Sequence, residues 1–320
     1  MTRVAAIDCG TNSVRLLIAD INADTLTDVE RRMEIVRLGQ GVDETGRLAP
    51  EALERTFTAM RGYAKLIDQH GASAVRVVAT SATRDAANRQ EFVDGVREIF
   101  GVEPEVVTGA EEAELSFAGA TRDLVRLSPE TGLPTPDGTR PPYLVVDIGG
   151  GSTEFVIGST HVEAALSVDI GCVRLTERHL RGVGAPLPAE VVEAVVADID
   201  DALDRVSGEI PVERALTLVG LAGSVTTVAG IALELPEYDP DKIHHSRIPA
   251  NRAYSVSGRL LEMTHDERAA IPVMHPGRVD VIGAGALILA RILERYGFTE
   301  VVVSEHDILD GIAWSVSEIS

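Results

Sequence analysis

The sequence has very little cysteine and no long apolar run. Its two cysteines, Cys9 and Cys172, cannot build a disulfide framework, and so few thiols are typical of a protein of the reducing cytoplasm. The longest apolar stretches are short, and one of them, 287–293, contains Arg291, so we expect no membrane span. The N-terminus enters a strand-like pattern at Val4 without the basic and apolar regions of a signal peptide. These absences predict a cytoplasmic protein that does not bind membranes.

Basic residues are also scarce. The 320 residues include 29 Lys and Arg against 50 Asp and Glu, which gives a net charge of -21. This balance argues against binding to nucleic acid or to anionic membranes, because both depend on basic patches. A polyanionic substrate would need a local site of arginine, backbone amides and metal ions. The hydrophobic fraction of 45% is that of a globular protein with one large or two medium domains.

Strand-like and helix-like segments alternate along the chain, which predicts the α/β fold class. The predicted strands are 4–8, 13–20, 33–38, 74–79, 104–108, 215–221 and 300–304, and the predicted helices are 50–70, 88–100, 111–127, 188–206, 251–263 and 279–296. Five prolines in 128–142 indicate a linker. We therefore predict an N-terminal domain over 1–127 and a C-terminal domain over 143–304. A closing helix at about 305–320 is expected to pack back on the first domain.

One hairpin pattern occurs twice. In 4–18 and again in 144–157, an apolar strand ends in Asp, a glycine-rich polar turn follows, and a second strand alternates apolar and polar residues. Glycine allows close approach of the backbone to a ligand, and the amides and hydroxyls of such turns bind anions. The predicted phosphate-binding residues are Gly10, Thr11, Asn12 and Ser13 in the first turn and Gly149, Gly150, Gly151 and Ser152 in the second. One copy alone could be an ordinary β-turn, and the repetition favours phosphate binding.

The hairpins and five further segments resemble the exopolyphosphatase/guanosine pentaphosphate phosphohydrolase (Ppx/GppA) family. The segments, in order, are DCGTNSVRL from Asp8, ATSATRDAAN from Ala79, TGAEEAEL from Thr108, VDIGGGSTE from Val146, LAGSVTT from Leu221, HPGRVD from His275 and VSEHDILDGI from Val303. The resemblance implies two ribonuclease-H-like domains of the actin/sugar-kinase/heat-shock-ATPase superfamily, facing each other across a phosphate-binding cleft. It also implies a homodimer.

Two residues of the first domain are candidates for catalysis. Glu112 lies in the first turn of a predicted helix, where the helix dipole favours the ionised carboxylate that a general base requires. Acidic residues in a first turn are also ordinary caps, and Glu111 is the competitor. The guanidinium of Arg84 is suited to bidentate phosphate binding, although an arginine in a polar turn is often only a surface residue. The resemblance implies that Glu112 is the catalytic carboxylate and that Arg84 clamps phosphate.

Three carboxylates are candidates for binding Mg²⁺, an ion that prefers oxygen ligands and retained waters. The resemblance implies that Asp147 and Glu154 hold it directly or through water, and that their counterpart Asp8 shares metal or water positioning. Glu154 could also be an outward strand residue. Arg15, which alternates within its strand, has a structural interpretation.

Other motif residues keep two interpretations. Gly223–Ser224 is predicted to begin a turn where kinases of the superfamily hold adenosine, and its role stays open. His275, Arg278 and Asp280 precede a helix, where capping and substrate contact are equally good interpretations. His244–His245 is predicted to lie in a solvated loop, because no other ligands have zinc spacing around it.

The predicted function is an exopolyphosphatase that releases terminal orthophosphate from inorganic polyphosphate by Mg²⁺-assisted attack of water. The alternative within the family is hydrolysis of the 5′-γ-phosphate of guanosine pentaphosphate. A phosphotransferase and a non-enzymatic nucleotide-gated module are weaker alternatives. The chain ends soon after Gly311 without the extra C-terminal helical domain of longer family members, which suggests a preference for short chains.

Overall fold

The computed structural model describes residues 2–22, 25–127 and 138–319. Two compact units account for the chain: residues 1–119 with 308–320, and residues 120–307. The boundaries predicted from the sequence are at 127 and 304, whereas the first boundary between the units falls at Gly119, inside a helix. Most of the predicted linker, from 128 to 137, lies outside the described residues. No helix within the described ranges is long and apolar enough to cross a membrane.

The first unit is a mixed sheet with helices on both faces. Its strands are β1 (Thr2–Cys9), β2 (Ser13–Asn22), β3 (Thr25–Ile35), β4 (Ala74–Ala79) and β5 (Glu105–Val106). Its helices are α1 (Val42–Thr45), α2 (Pro50–His70), α3 (Ser81–Asp85), α4 (Arg89–Phe100), the first part of α5 (Gly109–Leu127) and α13 (Ile308–Ile319). The sheet order is β3-β2-β1-β4-β5. Strand β2 pairs antiparallel with both β1 and β3, whereas β4 pairs parallel with both β1 and β5.

The second unit repeats this plan. Its strands are β6 (Tyr143–Ile148), β7 (Thr153–Gly158), β8 (Val162–Val168), β9 (Thr217–Leu221), β10 (Arg247–Pro249) and β11 (Glu300–Val303). Its helices are α6 (Cys172–Leu175), α7 (Ala189–Glu209), α8 (Ala222–Ala232), α9 (Pro240–Ile243), α10 (Ala250–Glu262), α11 (His265–Ala269) and α12 (Ile282–Tyr296). A π-helical turn (Thr176–Leu180) and two 3-10 turns (Val212–Arg214, Pro276–Arg278) complete it.

The sheet orders of the two units correspond strand by strand. Read from its hairpin edge, the second sheet is β8-β7-β6-β9-β11, which matches β3-β2-β1-β4-β5, and β10 is an additional edge strand. In both, a three-stranded antiparallel meander is followed by two parallel strands. The α/β fold class with two ribonuclease-H-like domains is therefore confirmed.

The strand pattern of β1 explains how the first sheet is covered. Ala5 and Ile7 lie in the core that includes α2 and α4, whereas Val4 and Ala6 lie in the core that includes Trp314 of α13. Successive side chains of a strand point to opposite faces, so one apolar strand supplies both cores. The C-terminal helix belongs to the first unit because its apolar residues cover one of these faces.

Several local predictions were wrong. The strand predicted at 33–38 runs over Thr25–Ile35. The prediction missed its first part because the residues there are exposed and polar and show no apolar strand pattern. Arg84 is in the short helix α3 and not in a turn. Gly223–Ser224 lies in the first turn of α8, and the chain changes direction one residue earlier, at Ala222, with φ 64. That left-handed φ is uncommon for a residue with a side chain, so the start of this helix could not be predicted from residue type.

Candidate active site

The two hairpins close in the same way. The Gly10 amide donates to the carbonyl of Ser13, and the Gly149 amide donates to the carbonyl of Ser152, both at 3.0 Å. These bonds place four residues of each turn at the carboxyl end of the first strand of each unit. The two predicted phosphate-binding turns thus share one backbone design.

The carbonyls of the first turn are held by the segment that follows β3. The Thr11 carbonyl accepts a hydrogen bond from Gly39 at 2.9 Å, and the Asn12 carbonyl accepts from Val36 at 3.1 Å and Arg37 at 2.9 Å. Within the described ranges, the amides of Thr11 and Asn12 donate no hydrogen bond. The anchored carbonyls fix the turn and leave these amides available to an anion.

The second turn is held by the segment that enters α6. The Gly150 carbonyl accepts from the Arg174 amide at 3.0 Å, and the Gly151 carbonyl accepts from Arg174 Nε at 2.6 Å. At Gly171, a Cβ would lie under 3.0 Å from the backbone of Gly150, so only glycine permits this approach. In the part of the chain that the structure describes, the amides of residues 150–152 donate no hydrogen bond.

Helix α3 connects the first turn to the candidate catalytic carboxylate. The hydroxyls of Thr11 and Ser81 are 2.9 Å apart and buried. From the same helix, Arg84 Nη1 donates to Glu112 Oε2 at 2.9 Å and to the Val107 carbonyl at 3.0 Å. Among the described residues, Nε and Nη2 of Arg84 have no acceptor. The structure therefore brings both predicted catalytic residues together and leaves guanidinium donors for a phosphate.

Glu111, the competing carboxylate, caps the same helix. Its Oε2 accepts from the Thr108 amide at 2.8 Å and from the Thr108 hydroxyl at 2.9 Å, and the Glu111 amide is 3.3 Å from that hydroxyl. This is a capping box, and its backbone hydrogen bond lowers the pKa of Glu111. Glu111 is exposed, whereas Glu112 is 7% exposed. The capping interpretation thus belongs to Glu111 and leaves Glu112 for chemistry.

The carboxylates at the ends of β1 and β6 have different partners. Asp8 lies opposite Arg15, which contacts it at 2.7 Å, and this ion pair supports the structural interpretation of Arg15. Asp147 lies opposite Glu154 at the equivalent position of the second hairpin. Residues directly opposite in an antiparallel pair have Cβ atoms about 5 Å apart, so two carboxylates face one another there. Both are buried, at 7% and 1% exposed, which contradicts an outward position for Glu154.

The Asp147–Glu154 pair fits a divalent cation better than Asp8 does. Buried like charges repel strongly, and a cation between them removes that cost. The Ser167 hydroxyl donates to Glu154 Oε1 at 2.7 Å and helps to orient it. Within the described ranges, no three or more His, Cys, Asp and Glu side chains form a metal-binding group. Two carboxylates are what Mg²⁺ commonly takes from a protein when waters and substrate phosphates supply its other ligands.

A sequence profile of the Ppx/GppA phosphatase family matches residues 17–317. The chain belongs to this family. It is 49% identical to the protein named exopolyphosphatase 2 of Mycobacterium tuberculosis, over 99% of both chains. The crystal structure of an exopolyphosphatase-like protein, 42% identical and matched over 100% of both chains, has a TM-score of 0.91. A guanosine-5′-triphosphate,3′-diphosphate pyrophosphatase of Aeromonas salmonicida is 28% identical over 98% of this chain and 59% of its own length.

Two motifs of the Ppx/GppA chain that had no assigned role meet in the second unit. Arg278 Nη1 donates to the Thr227 hydroxyl at 3.1 Å. A Cβ on Gly223 would lie under 3.0 Å from the guanidinium of Arg278, so the two residues are in close contact. Arg278 therefore lies over the start of α8.

The neighbours of Arg278 have simpler roles. His275 Nδ1 accepts from the Gly277 amide at 3.1 Å and caps the 3-10 turn, which supports its capping interpretation. Asp280 pairs with His265 at 3.4 Å, and both side chains are exposed. His275 thus caps a local turn, whereas Arg278 contacts a segment distant in sequence.

The prediction of a solvated loop for His244–His245 was wrong. Both residues are half-buried, their rings stack at 3.8 Å, and His244 also contacts the ring of His306 at 4.5 Å. Cys9 is a fully buried core residue, and burial raises the pKa of its thiol. The stacked histidines join segments distant in sequence, which periodicity alone could not reveal.

Sequence analysis also missed the residues that hold the turns in place. Ser81 belongs to the motif that contains Arg84, so its contact with Thr11 had a sequence signal that was not used. Arg174 had a weaker one: it follows Gly171 closely, and glycine before a short helix indicates a close backbone approach. Ser81 contacts a side chain of the first turn, and Arg174 contacts the backbone of the second.

Proposed function

We propose that this Ppx/GppA chain is an exopolyphosphatase, which releases terminal orthophosphate from inorganic polyphosphate by attack of water. One observation carries the proposal: α3 contacts the Thr11 hydroxyl through Ser81 and the Glu112 carboxylate through Arg84. A general base and a phosphate-binding turn are thereby linked within one hydrogen-bonded assembly. The name of the 49% identical Mycobacterium tuberculosis relative supports the same activity.

Glu112 is the general base in this proposal. Its carboxylate accepts a proton from water as the water oxygen bonds to the terminal phosphorus and the bridging P–O bond breaks. The products are orthophosphate and a chain shorter by one phosphate, which leaves as an anion. Positioned proton transfer of this kind contributes roughly 10²–10⁴-fold to the rate.

Arg84 and the turn amides bind the charge of the phosphoryl group. Nη1 of Arg84 holds Glu112, and Nε and Nη2 donate to nonbridging oxygens. The amides of Thr11 and Asn12 supply fixed donors that need no reorganisation. Phosphoryl transfer depends mainly on such positioning and electrostatic stabilisation, because the protein forms no covalent bond to the substrate.

Asp147 and Glu154 would hold Mg²⁺. When bound, this ion supplies positive charge to phosphoanhydride oxygens. Ser167 orients Glu154, and the amides of residues 150–152 bind phosphate oxygens. Opposed buried carboxylates and oxygen-only donors support Mg²⁺ over a softer metal.

The net charge and the family suggest the localisation, oligomeric state and partners of the protein. We expect a cytoplasmic homodimer that does not bind nucleic acid or membranes, since a net charge of -21 disfavours polyanionic surfaces. Sedimentation velocity of the purified protein tests the dimer, and co-sedimentation with anionic vesicles tests the absence of membrane binding. A monomer, or protein in the vesicle pellet, would contradict these expectations.

The decisive experiment measures phosphate release from tripolyphosphate, long-chain polyphosphate, guanosine pentaphosphate and ATP, each with Mg²⁺ and with EDTA. Wild-type protein and the control Glu114→Gln, an exposed carboxylate of the same helix, should release phosphate from polyphosphate. Glu112→Gln should not. Release from guanosine pentaphosphate alone would establish the alternative family activity. Transfer from ATP to a sugar or carboxylate without hydrolysis would exclude both.

A further inference from the structure

Three parallel strands of the second unit end side by side. In the sheet, β6 neighbours β9 and β9 neighbours β11, all parallel. The segments that follow these strands are 149–152, 222–224 and 304–305. They therefore lie side by side along the carboxyl ends of the strands, with about 4.8 Å between neighbouring strands. The proposed phosphate-binding loop is the first member of this row.

The charge changes sign along this row. The amides of residues 150–152 come first. The guanidinium of Arg278 follows, placed over Gly223 and bonded to the Thr227 hydroxyl at 3.1 Å. The carboxylate of Glu305 comes next, two residues after the end of β11. An anionic chain that extended along these strand ends would therefore meet donors and a cation before it met a carboxylate.

The position of Glu305 is fixed by several contacts. Tyr238 Oη is 2.6 Å from Glu305 Oε1 and 2.8 Å from Thr226 Oγ1. The Glu305 amide donates to His244 Nδ1 at 3.2 Å. Burial and the nearby charge of Glu305 raise the pKa of Tyr238, while Arg278 opposes that rise. Glu305 is thus a held carboxylate and not a freely moving surface group.

We infer that Glu305, held by Tyr238, is a specificity-determining residue that disfavours polyphosphate chains long enough to extend past Arg278. This inference rests on the proposed exopolyphosphatase function and deepens it. A fixed carboxylate repels each phosphate that approaches it, and such a repulsive element discriminates against one substrate class without improving binding of another. A chain of three phosphates held at the 149–152 loop extends less far along these strand ends than a long chain does, so it meets the carboxylate less.

Substitution Glu305→Gln tests the inference, because it removes the charge and keeps the shape. The measurement is kcat/KM for tripolyphosphate and for long-chain polyphosphate at low ionic strength. We expect the long-chain value to rise roughly fivefold and the tripolyphosphate value to stay within about twofold. The gain should disappear in high salt, where screening removes interactions between charges. A purely structural role for Glu305 would not produce this salt dependence.

Two matched variants separate local charge from other effects. Glu300 is the first residue of β11 and pairs with Arg247. Glu300→Gln therefore removes the same charge at the opposite end of the strand. It should leave the ratio of long-chain to short-chain activity unchanged. Tyr238→Phe keeps the Glu305 charge but removes the hydroxyl that holds it, so the preference for tripolyphosphate should weaken without disappearing.

Binding provides a readout without hydrolysis. Calorimetry compares long-chain polyphosphate binding to Glu112→Gln with binding to Glu112→Gln/Glu305→Gln, and tighter binding by the double variant supports the inference. An active wild type whose ratio and affinity do not respond to Glu305→Gln, or respond equally to Glu300→Gln, overturns the inference and leaves the proposed function intact. A wild type that neither binds nor hydrolyses polyphosphate overturns both.

Discussion

Arg84 Nη1 lies 2.9 Å from Glu112 Oε2, and the same nitrogen lies 3.0 Å from the Val107 carbonyl. One guanidinium nitrogen thus holds the candidate base and attaches it to the backbone that precedes α5. The planar fork of arginine lets this happen while Nε and Nη2 keep their own donor directions. A lysine at this position has one nitrogen for all of these acceptors.

The first prediction follows from that geometry. Arg84→Lys keeps the charge but cannot hold Glu112 and bind a phosphate bidentately, so we expect kcat/KM to fall about 10²-fold. Steady-state phosphate release checks this, with Arg89→Lys, an exposed arginine at the start of α4, as the control. Equal kinetics in the two variants would remove Arg84 from the site.

The second prediction separates the adjacent carboxylates of α5. Glu111→Gln weakens the capping box with Thr108 and should lower the free energy of unfolding by about 0.5 kcal/mol while kcat stays near wild type. Glu112→Gln should lower kcat by about 10²–10⁴-fold. Urea unfolding and steady-state kinetics on both variants provide the test. If Glu111→Gln were the inactive one, the assignment of the base would be reversed.

The capping role of Glu111 also has a pH signature. Its pKa in the folded protein lies below the ordinary value of 4.5. Its stabilising contribution is therefore complete above that ordinary value and is lost as the pH falls through the folded pKa. The difference in unfolding free energy between wild type and Glu111→Gln should shrink as the pH falls below about 4.5. A difference that grew on acidification would contradict the capping role.

The third prediction concerns the two hairpin carboxylates. Asp8 is neutralised by Arg15 at 2.7 Å, whereas Asp147 faces Glu154. Glu154→Gln should raise the Mg²⁺ concentration for half-maximal phosphate release by at least about tenfold, and Asp8→Asn should change it far less. A Mg²⁺ titration of both variants measures this. A larger shift in Asp8→Asn would place the metal at the first hairpin.

The fourth prediction concerns thiol chemistry. Burial raises the pKa of Cys9, with a further contribution from Asp8, and burial also raises the pKa of Cys172. A raised pKa keeps the thiol protonated up to a higher pH, and alkylation requires the thiolate. Iodoacetamide at pH 8 should leave both cysteines unmodified in the native protein and modify both in urea, as mass spectrometry can measure. Rapid native alkylation of Cys9 would argue against its core position.

The sequence predicted what local pattern determines. Helix α2 was predicted with its observed bounds because Pro50 begins it and Gly71, at φ 65, ends it. The two hairpins were predicted because strand, Asp and glycine turn are contiguous in the chain. The two halves of the repeat could therefore be recognised without any tertiary information.

The remaining features depend on contacts between distant segments. The Thr11–Ser81 contact joins residues 70 positions apart, and helix α3, which carries Ser81, has only five residues. A helix this short is stable only through its tertiary contacts. Helix propensity therefore does not predict α3 from the sequence. The different partners of Asp8 and Asp147 depend on strand register, which places Arg15 opposite one and Glu154 opposite the other.

The last prediction concerns the contact between the C-terminal helix and the helix of Glu112. At Gly311 in α13, a Cβ would lie well under 3.0 Å from the Leu115 carbonyl in α5, one turn beyond Glu112. Gly311→Ala should therefore force these helices apart, lower the free energy of unfolding by about 1–3 kcal/mol and reduce kcat. Gly62→Ala is the matched control, because this helical glycine has no neighbour within 4 Å, and it should stabilise the protein by about 0.5–1 kcal/mol. Urea unfolding and phosphate release measure both effects, and equal behaviour of the two variants would show that α13 does not restrain α5.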